Sequence, residues 1–241
     1  NYVGGVVGYQ ASGTITNVYN LANVNATTSY VGGISGRIVT GVISNAYNAG
    51  NITAKTNFAG GITGYLDGSS SAHATITNSY NKGEIIASAY AGGLVGAQYG
   101  KSNYKYSTVS YSYSAGLVSA NVYVGGVIGS YSSSSGYRTN IYYDVSVLTS
   151  YKQPKSLKPT TTVGGFALEK TSMIESNLEN KGFSSLTWEF RSIEGNYAYY
   201  PQLKCFSESE DDIVSTQSLL SVRTNPFIGD GTKDSPFLIK T

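Results

Sequence analysis

Apolar and polar positions alternate along this chain in short bursts that keep returning. In "TITNVYN", residues 14 to 20, Ile15, Asn17 and Tyr19 fall on one face and Thr14, Thr16 and Val18 on the other. The stretch recurs as "VISNAYN", "TITNSYN" and "TVSYSYS". The first face thus continues as Ile43, Asn45 and Tyr47, then Ile76, Asn78 and Tyr80, then Val109, Tyr111 and Tyr113. A period of two over so few residues predicts strands, because a helix needs both greater length and a period of about 3.6.

Two more apolar stretches complete each period. One is the glycine phrase "YVGGVVGY", repeated as "YVGGISGR", "FAGGITGY", "YAGGLVGA" and "YVGGVIGS", with Val6, Ile34, Ile62, Leu94 and Val127 always aliphatic at its fifth position. The other is "NVNA", then "NITA", "EIIA" and "LVSA", which brings Val24, Ile52, Ile85 and Val118 into register. The glycine pairs at Gly4, Gly32, Gly60, Gly92 and Gly125 set spacings of 28, 28, 32 and 33 residues, and the growth comes from polar inserts such as "DGSSSAHA" and "QYGKSNYKYS". Repeats of this length stack their strands on the equivalents one period later. The expected fold is therefore all-β: a parallel β-solenoid of about five to six coils, three short strands per coil, rising about 4.8 Å per coil. Asn17, Asn45 and Asn78 are expected to form an inward amide ladder, and Tyr19, Tyr47, Tyr80 and Tyr113 a ring ladder beside it. The glycine pairs mark a tight bend where backbones approach closely.

The texture changes after residue 147. Residues 148–206 read as a degenerate last coil, beginning at "VGGF" (163 to 166), and a mixed cap. The cap holds one short helix carrying Met173, Ile174 and Leu178 and stopped by Gly182, then closing strands with Trp188, Pro201 and Leu203 plugging the last coil. Residues 207–241 read as an acidic linker and a starter strand, Pro236, Phe237, Leu238 and Ile239. That strand belongs either to a following module or, by strand addition, to the open first coil of a neighbouring copy. The chain opens on repeat material without Met, as an excised or processed piece does.

The phrases "YVGGVVG...GTITNVYNLANV" and "YAGGLVG...STVSYSYSAGLV" resemble the GLUG-motif repeat of large bacterial surface proteins, which include the non-catalytic regions of some immunoglobulin A1 metallopeptidases. The resemblance covers residues 2 to about 147. It implies an extracellular, cell-surface, adhesion-type setting.

Composition narrows the chemistry. Charged residues make up 12% of the chain, against roughly 25% in an average globular protein, and tyrosine, at 22 residues, helps fill the gap. A net charge of +2 forms no basic stripe, so nucleic acid is not an expected partner. No apolar run has the length of a membrane span, so no membrane insertion is expected. The single cysteine, Cys205, sits among apolar neighbours and reads as a small buried hydrophobe. Over residues 1 to 143 the only acids are Asp67, assigned to an insert, and Glu84, at a strand start. Paired carboxylates of the polysaccharide-cleaving type therefore have no place on the wall. His73 reads as a solvated loop residue, and Glu208, Glu210, Asp211 and Asp212 as a solvated linker. No cofactor, metal or catalytic residue is expected.

Binding is the class that survives. The tyrosines assigned to the insert loops, Tyr65, Tyr99, Tyr104, Tyr106, Tyr131 and Tyr137, stand among serine and glycine, the chemistry of adaptable recognition loops. The expectation is a rigid, non-catalytic stalk or adhesin that binds a glycan or a host or cell-surface protein weakly. Two alternatives stay open: a head-to-tail filament of self-associating copies, and a polysaccharide-active enzyme assembled from Glu169, Glu175, Glu179, Glu189 and Glu194.

Overall fold

The structure is a computed structural model that describes residues 2–27, 29–68, 73–100, 107–131, 136–145, 165–191, 197–206 and 220–221. The chain winds into a parallel β-solenoid whose first coil comprises β1 (Tyr2–Gly4), β2 (Val7–Gln10), β3 (Thr14–Asn20) and β4 (Val24–Ala26). Each coil has four strands rather than the three expected, because the glycine phrase is two strands hinged at its second glycine. A Cβ on that glycine, Gly5, would stand 2.4 Å from the Gly33 carbonyl oxygen, so the hinge closes only on glycine.

The second coil comprises β5 (Tyr30–Gly32), β6 (Ser35–Ile38), β7 (Gly41–Asn48) and β8 (Ile52–Ala54), and the third β9 (Phe58–Gly60), β10 (Thr63–Gly68), β11 (Ala74–Asn81) and β12 (Ile85–Ala87). The fourth comprises β13 (Tyr90–Gly92), β14 (Val95–Gly100), β15 (Ser107–Ser114) and β16 (Val118–Ala120), and a fifth turn contributes β17 (Tyr123–Gly125), β18 (Ile128–Tyr131) and β19 (Tyr137–Asp144). The described residues thus hold four complete coils and one of three strands, fewer than the five to six expected. Every pairing joins one period to the next in register, as in Tyr2↔Tyr30 and Ile15↔Ile43. Of "VGGF", Gly165 and Phe166 are described, and β20 (Phe166–Leu168) pairs with β19, Tyr142 against Phe166, extending the sheet built on β3 by one strand.

Two apolar cores run inside the coils. One gathers Ile34, Ile43, Ile62, Ile76, Leu94, Val109 and Val127; the other gathers Val31, Ile52, Ala59, Ile85 and Val124. The aliphatic column at the bend stacks as expected, with Val6 N–H donating to the Ile34 carbonyl and Ile34 N–H to that of Ile62. Ile34 and Ile62 are fully buried, whereas Val6, with a neighbour on one side only, is 49% exposed.

The asparagine column departs from expectation. Asn17, Asn45 and Asn78 have φ of 54°, 48° and 46°, the left-handed region that asparagine tolerates best among non-glycine residues. Each turns its strand through a corner at the surface, where Asn45 Nδ2 donates to Asn17 Oδ1 at 3.0 Å. The corner consumes one residue of the alternation, so Ile43 and Ala46 both enter the core and Tyr47 joins a different cluster. The inward amide ladder belongs instead to the asparagine that ends each strand. Asn20 Nδ2 donates to Asn48 Oδ1 at 2.7 Å, and Asn48 Nδ2 donates to Asn81 Oδ1 at 2.8 Å. Asn48 is fully buried, and its Nδ2 also donates to the Gly50 carbonyl at 2.7 Å. Asn48→Ala removes the middle rung of this ladder together with its bond to Gly50 and is expected to lower stability by about 3 kcal/mol, read as an earlier urea midpoint with an unchanged slope.

The C-terminal segment is a side strap rather than an end plug. Its expected helix is two 3-10 segments, Lys170–Ser172 and Glu175–Lys181, the second ending as predicted at Gly182, where φ is 89°. Strand β21 (Trp188–Glu189) pairs antiparallel with β23 (Gln202–Leu203), and β22 (Tyr197–Ala198) with β24 (Leu220–Ser221). Trp188 does not cover the last coil: its ring lies 5.8 Å from that of Tyr113 and 6.0 Å from that of Tyr80, along the outer wall. Phe183 meets Tyr142 at 6.0 Å, and Phe206 meets Tyr47 at 5.1 Å and Tyr19 at 5.5 Å, so the strap runs back along the rod against chain order. Hydrogen bonds fix it: the Tyr113 hydroxyl donates to the Pro201 carbonyl at 2.7 Å and the Tyr200 hydroxyl to Asp144. Leu203 is fully buried in the same cluster, whereas Cys205 is exposed rather than buried, because the 3-10 turn Lys204–Phe206 points Phe206 to the wall in its stead.

Candidate binding wall

In each glycine-phrase strand the middle residue, such as Val31, enters the core, so the aromatic that precedes it faces outward. Tyr2, Tyr30, Phe58, Tyr90 and Tyr123 therefore form one column, stacked at centroid distances of 5.4, 5.4, 4.7 and 5.3 Å. A second column stands beside it, formed by Tyr9, Arg37 and Tyr65 in register and by Tyr99, whose ring stacks 5.8 Å from that of Tyr65. The columns interlock through edge contacts, Tyr30 to Tyr65 at 4.9 Å and Phe58 to Tyr65 at 5.9 Å.

Arg37 is the polar centre. Its guanidinium lies 5.5 Å from the Tyr2 and Tyr65 ring centres and 5.9 Å from that of Tyr9, donates to the Tyr2 hydroxyl at 2.8 Å, and pairs with Asp67 at 2.7 Å. Burial alone would weaken its charged form, but the hydrogen bonds to Asp67 and Tyr2 outweigh that and hold its pKa above the ordinary value. Asp67 is not an insert residue: it lies in β10 and is buried. The sequence pattern does not mark this pair for binding, although its two opposite charges lie 30 residues apart, close to one repeat.

Four of the six predicted tyrosines are described, and all four lie on strands rather than in loops: Tyr65 in β10, Tyr99 in β14, Tyr131 in β18 and Tyr137 in β19. Tyr65 and Tyr99 belong to the wall, with the Tyr99 hydroxyl hydrogen-bonded to Ser130 Oγ at 2.6 Å. Tyr131 does not join them; its ring carries the Arg138 guanidinium at 4.7 Å, and Arg138 donates to Gln98 at 2.6 Å. Tyr137 is 55% exposed and belongs to neither of the two wall columns. Tyr104 and Tyr106, like Pro236, Phe237, Leu238 and Ile239, lie outside the described residues. Among the described residues no group of three or more His, Cys, Asp or Glu side chains could hold a metal ion.

Stacking has a chemical consequence. Rings in a column spend their faces on one another and present edges and hydroxyls to solvent, which suits polar and edge contacts better than a sugar lying flat on a ring. Burial, then the Asp67 carboxylate, pushes the Tyr65 phenol up to about 12, and burial raises Tyr113, Tyr142 and Tyr143 as well. For an acid whose folded pKa exceeds its unfolded value, the stabilisation is complete below the unfolded pKa and is lost as pH climbs through the folded one. Unfolding free energy is therefore expected to fall steadily above about pH 10, and Tyr65→Phe to make that fall shallower, as measured by urea titrations at stepped pH.

Compared with protein-family models, with curated proteins and with solved structures, the chain gives no match.

Proposed function

We propose that this chain is a rigid, non-catalytic module of an extracellular bacterial surface protein, related to GLUG-motif arrays, whose aromatic wall docks weakly onto a protein partner. The observation that carries the reading is the interlocked pair of columns, a strip of tyrosine edges and hydroxyls around the Arg37–Asp67 pair, held on stacked strands. Tyrosine and arginine are the side chains enriched where proteins meet, and presenting them on a stiff sheet keeps the ordering cost of binding low. A protein partner fits better than a glycan because the ring faces a sugar would stack on are already occupied.

An array of glycans and matrix proteins, probed with the wild type and with Tyr9→Ala and Arg37→Met, tests the reading. Tyr9 is 46% exposed, so its removal leaves the cores untouched. Protein spots that the wild type binds and either variant loses about tenfold, a loss of some 1.4 kcal/mol, support the wall. Glycan spots alone point to sugar recognition, and silence throughout reduces the module to a spacer.

A further inference from the structure

The chain holds 22 tyrosines and a single cysteine, so phenol rather than thiol is the side chain available for a covalent tie between coils. Tyr90 and Tyr123 are register partners in neighbouring coils, their rings stacked 5.3 Å apart at an interplanar angle of 14°, both half-buried on the outer wall. We propose that this pair is a site of oxidative phenol coupling, in which a dityrosine bond staples the fourth coil to the fifth.

The oxidant is hydrogen peroxide acting through a one-electron peroxidase. Each phenol loses one electron and one proton; the two phenoxyl radicals join ortho carbon to ortho carbon; each ring regains aromaticity by passing its ring proton to its own oxygen. Two phenols and one peroxide thus become one biaryl and two waters, with two C–H bonds broken and one C–C bond formed. Holding the partners side by side raises their effective concentration far above that of a second molecule in solution.

The surroundings direct Tyr90 toward Tyr123 rather than toward its other neighbour or the buried tyrosine ladder. On the other side of Tyr90 the column continues to Phe58, 4.7 Å away, which has no phenol to oxidise, so Tyr90 couples toward Tyr123. Tyr47, Tyr80 and Tyr113 stack as closely, at 5.0 and 5.2 Å, but are each about 1% exposed beneath the strap. To bond, two rings must leave the stack and turn edge to edge, a movement open to half-buried rings and closed to sealed ones.

The test treats the full chain, dilute and folded, with horseradish peroxidase and hydrogen peroxide, then digests it with trypsin. Lys101 and Lys105 separate Tyr90 from Tyr123, so the bond appears in the mass spectrum as two joined peptides lighter than their sum by two hydrogens. The expected result is that species in a yield independent of protein concentration, lost in Tyr123→Phe and lost when the reaction is run in urea. Phe58 already occupies this column, so the variant keeps the fold. A yield that rises with protein concentration, a bond between Tyr80 and Tyr113 in its place, persistence in Tyr123→Phe, or no biaryl at all overturns the proposal.

Discussion

Gly33→Val is expected to abolish the cooperative thermal transition of the solenoid. A Cβ at Gly33 would lie 2.2 Å from the Gly61 carbonyl oxygen and 2.4 Å from Asn48 Oδ1, contacts with backbone on one side and a fully bonded buried amide on the other. Neither can yield. The Gly33 N–H donates to the Gly61 carbonyl at 3.1 Å, so shifting that backbone breaks the bend, and moving Asn48 breaks the amide ladder. Overpacking of ordinary cores costs about 1–3 kcal/mol. Here a branched side chain meets two ladders at once, and the loss is comparable to the whole stability of a domain, about 5–15 kcal/mol. Gly13→Asn is the control: nothing stands within 4 Å of a Cβ there, and its φ of 89° is one asparagine adopts, so the change is expected to cost no more than about 1 kcal/mol. Circular dichroism melts of the two variants against wild type decide the matter. A cooperative melt for Gly33→Val within a few degrees of wild type would show that the bend is not close-packed.

Trp188→Ala should release the strap while leaving the coils wound. Trp188 is fully buried against Tyr80, Tyr113 and Phe183, and truncating such a residue costs about 3–5 kcal/mol. For a chain of this size that corresponds to a drop in Tm of roughly 10 °C. Because Trp188 touches the wall and not the two inner cores, the loss falls on the strap first. Limited proteolysis is expected to cut between residues 165 and 206 earlier than in wild type, with the repeat region surviving as a protected fragment. Uniform digestion of the whole chain would instead show that strap and coils unfold as one unit.

Much of this architecture is readable in advance because in-register stacking makes each residue type recur at a fixed place. Ile15, Ile43, Ile76 and Val109 occupy equivalent positions in neighbouring strands, and the column they form is the column observed. The binding wall was less legible. Tyr65 and Tyr99 stand among serine and glycine, which reads as loop, yet strands carry them. Arg37 and Asp67 have no partner visible in one dimension, because their pairing depends on a strand register that brings residues 30 positions apart into contact.

Periodicity and backbone sterics acting within one period dictate the solenoid, its repeat length, the column of aliphatic residues at the bend and the need for glycine there. Which asparagine faces inward, which tyrosines are sealed and where the C-terminal segment lies are set by contacts that no single period contains. A single left-handed residue such as Asn45 resets the alternation of its strand, and a strap from the far end of the chain buries rings that look solvent-facing from their own repeat. Both are effects that local pattern does not encode: the first turns on one backbone dihedral, the second on contacts between residues more than 80 apart, such as Tyr113 and Pro201.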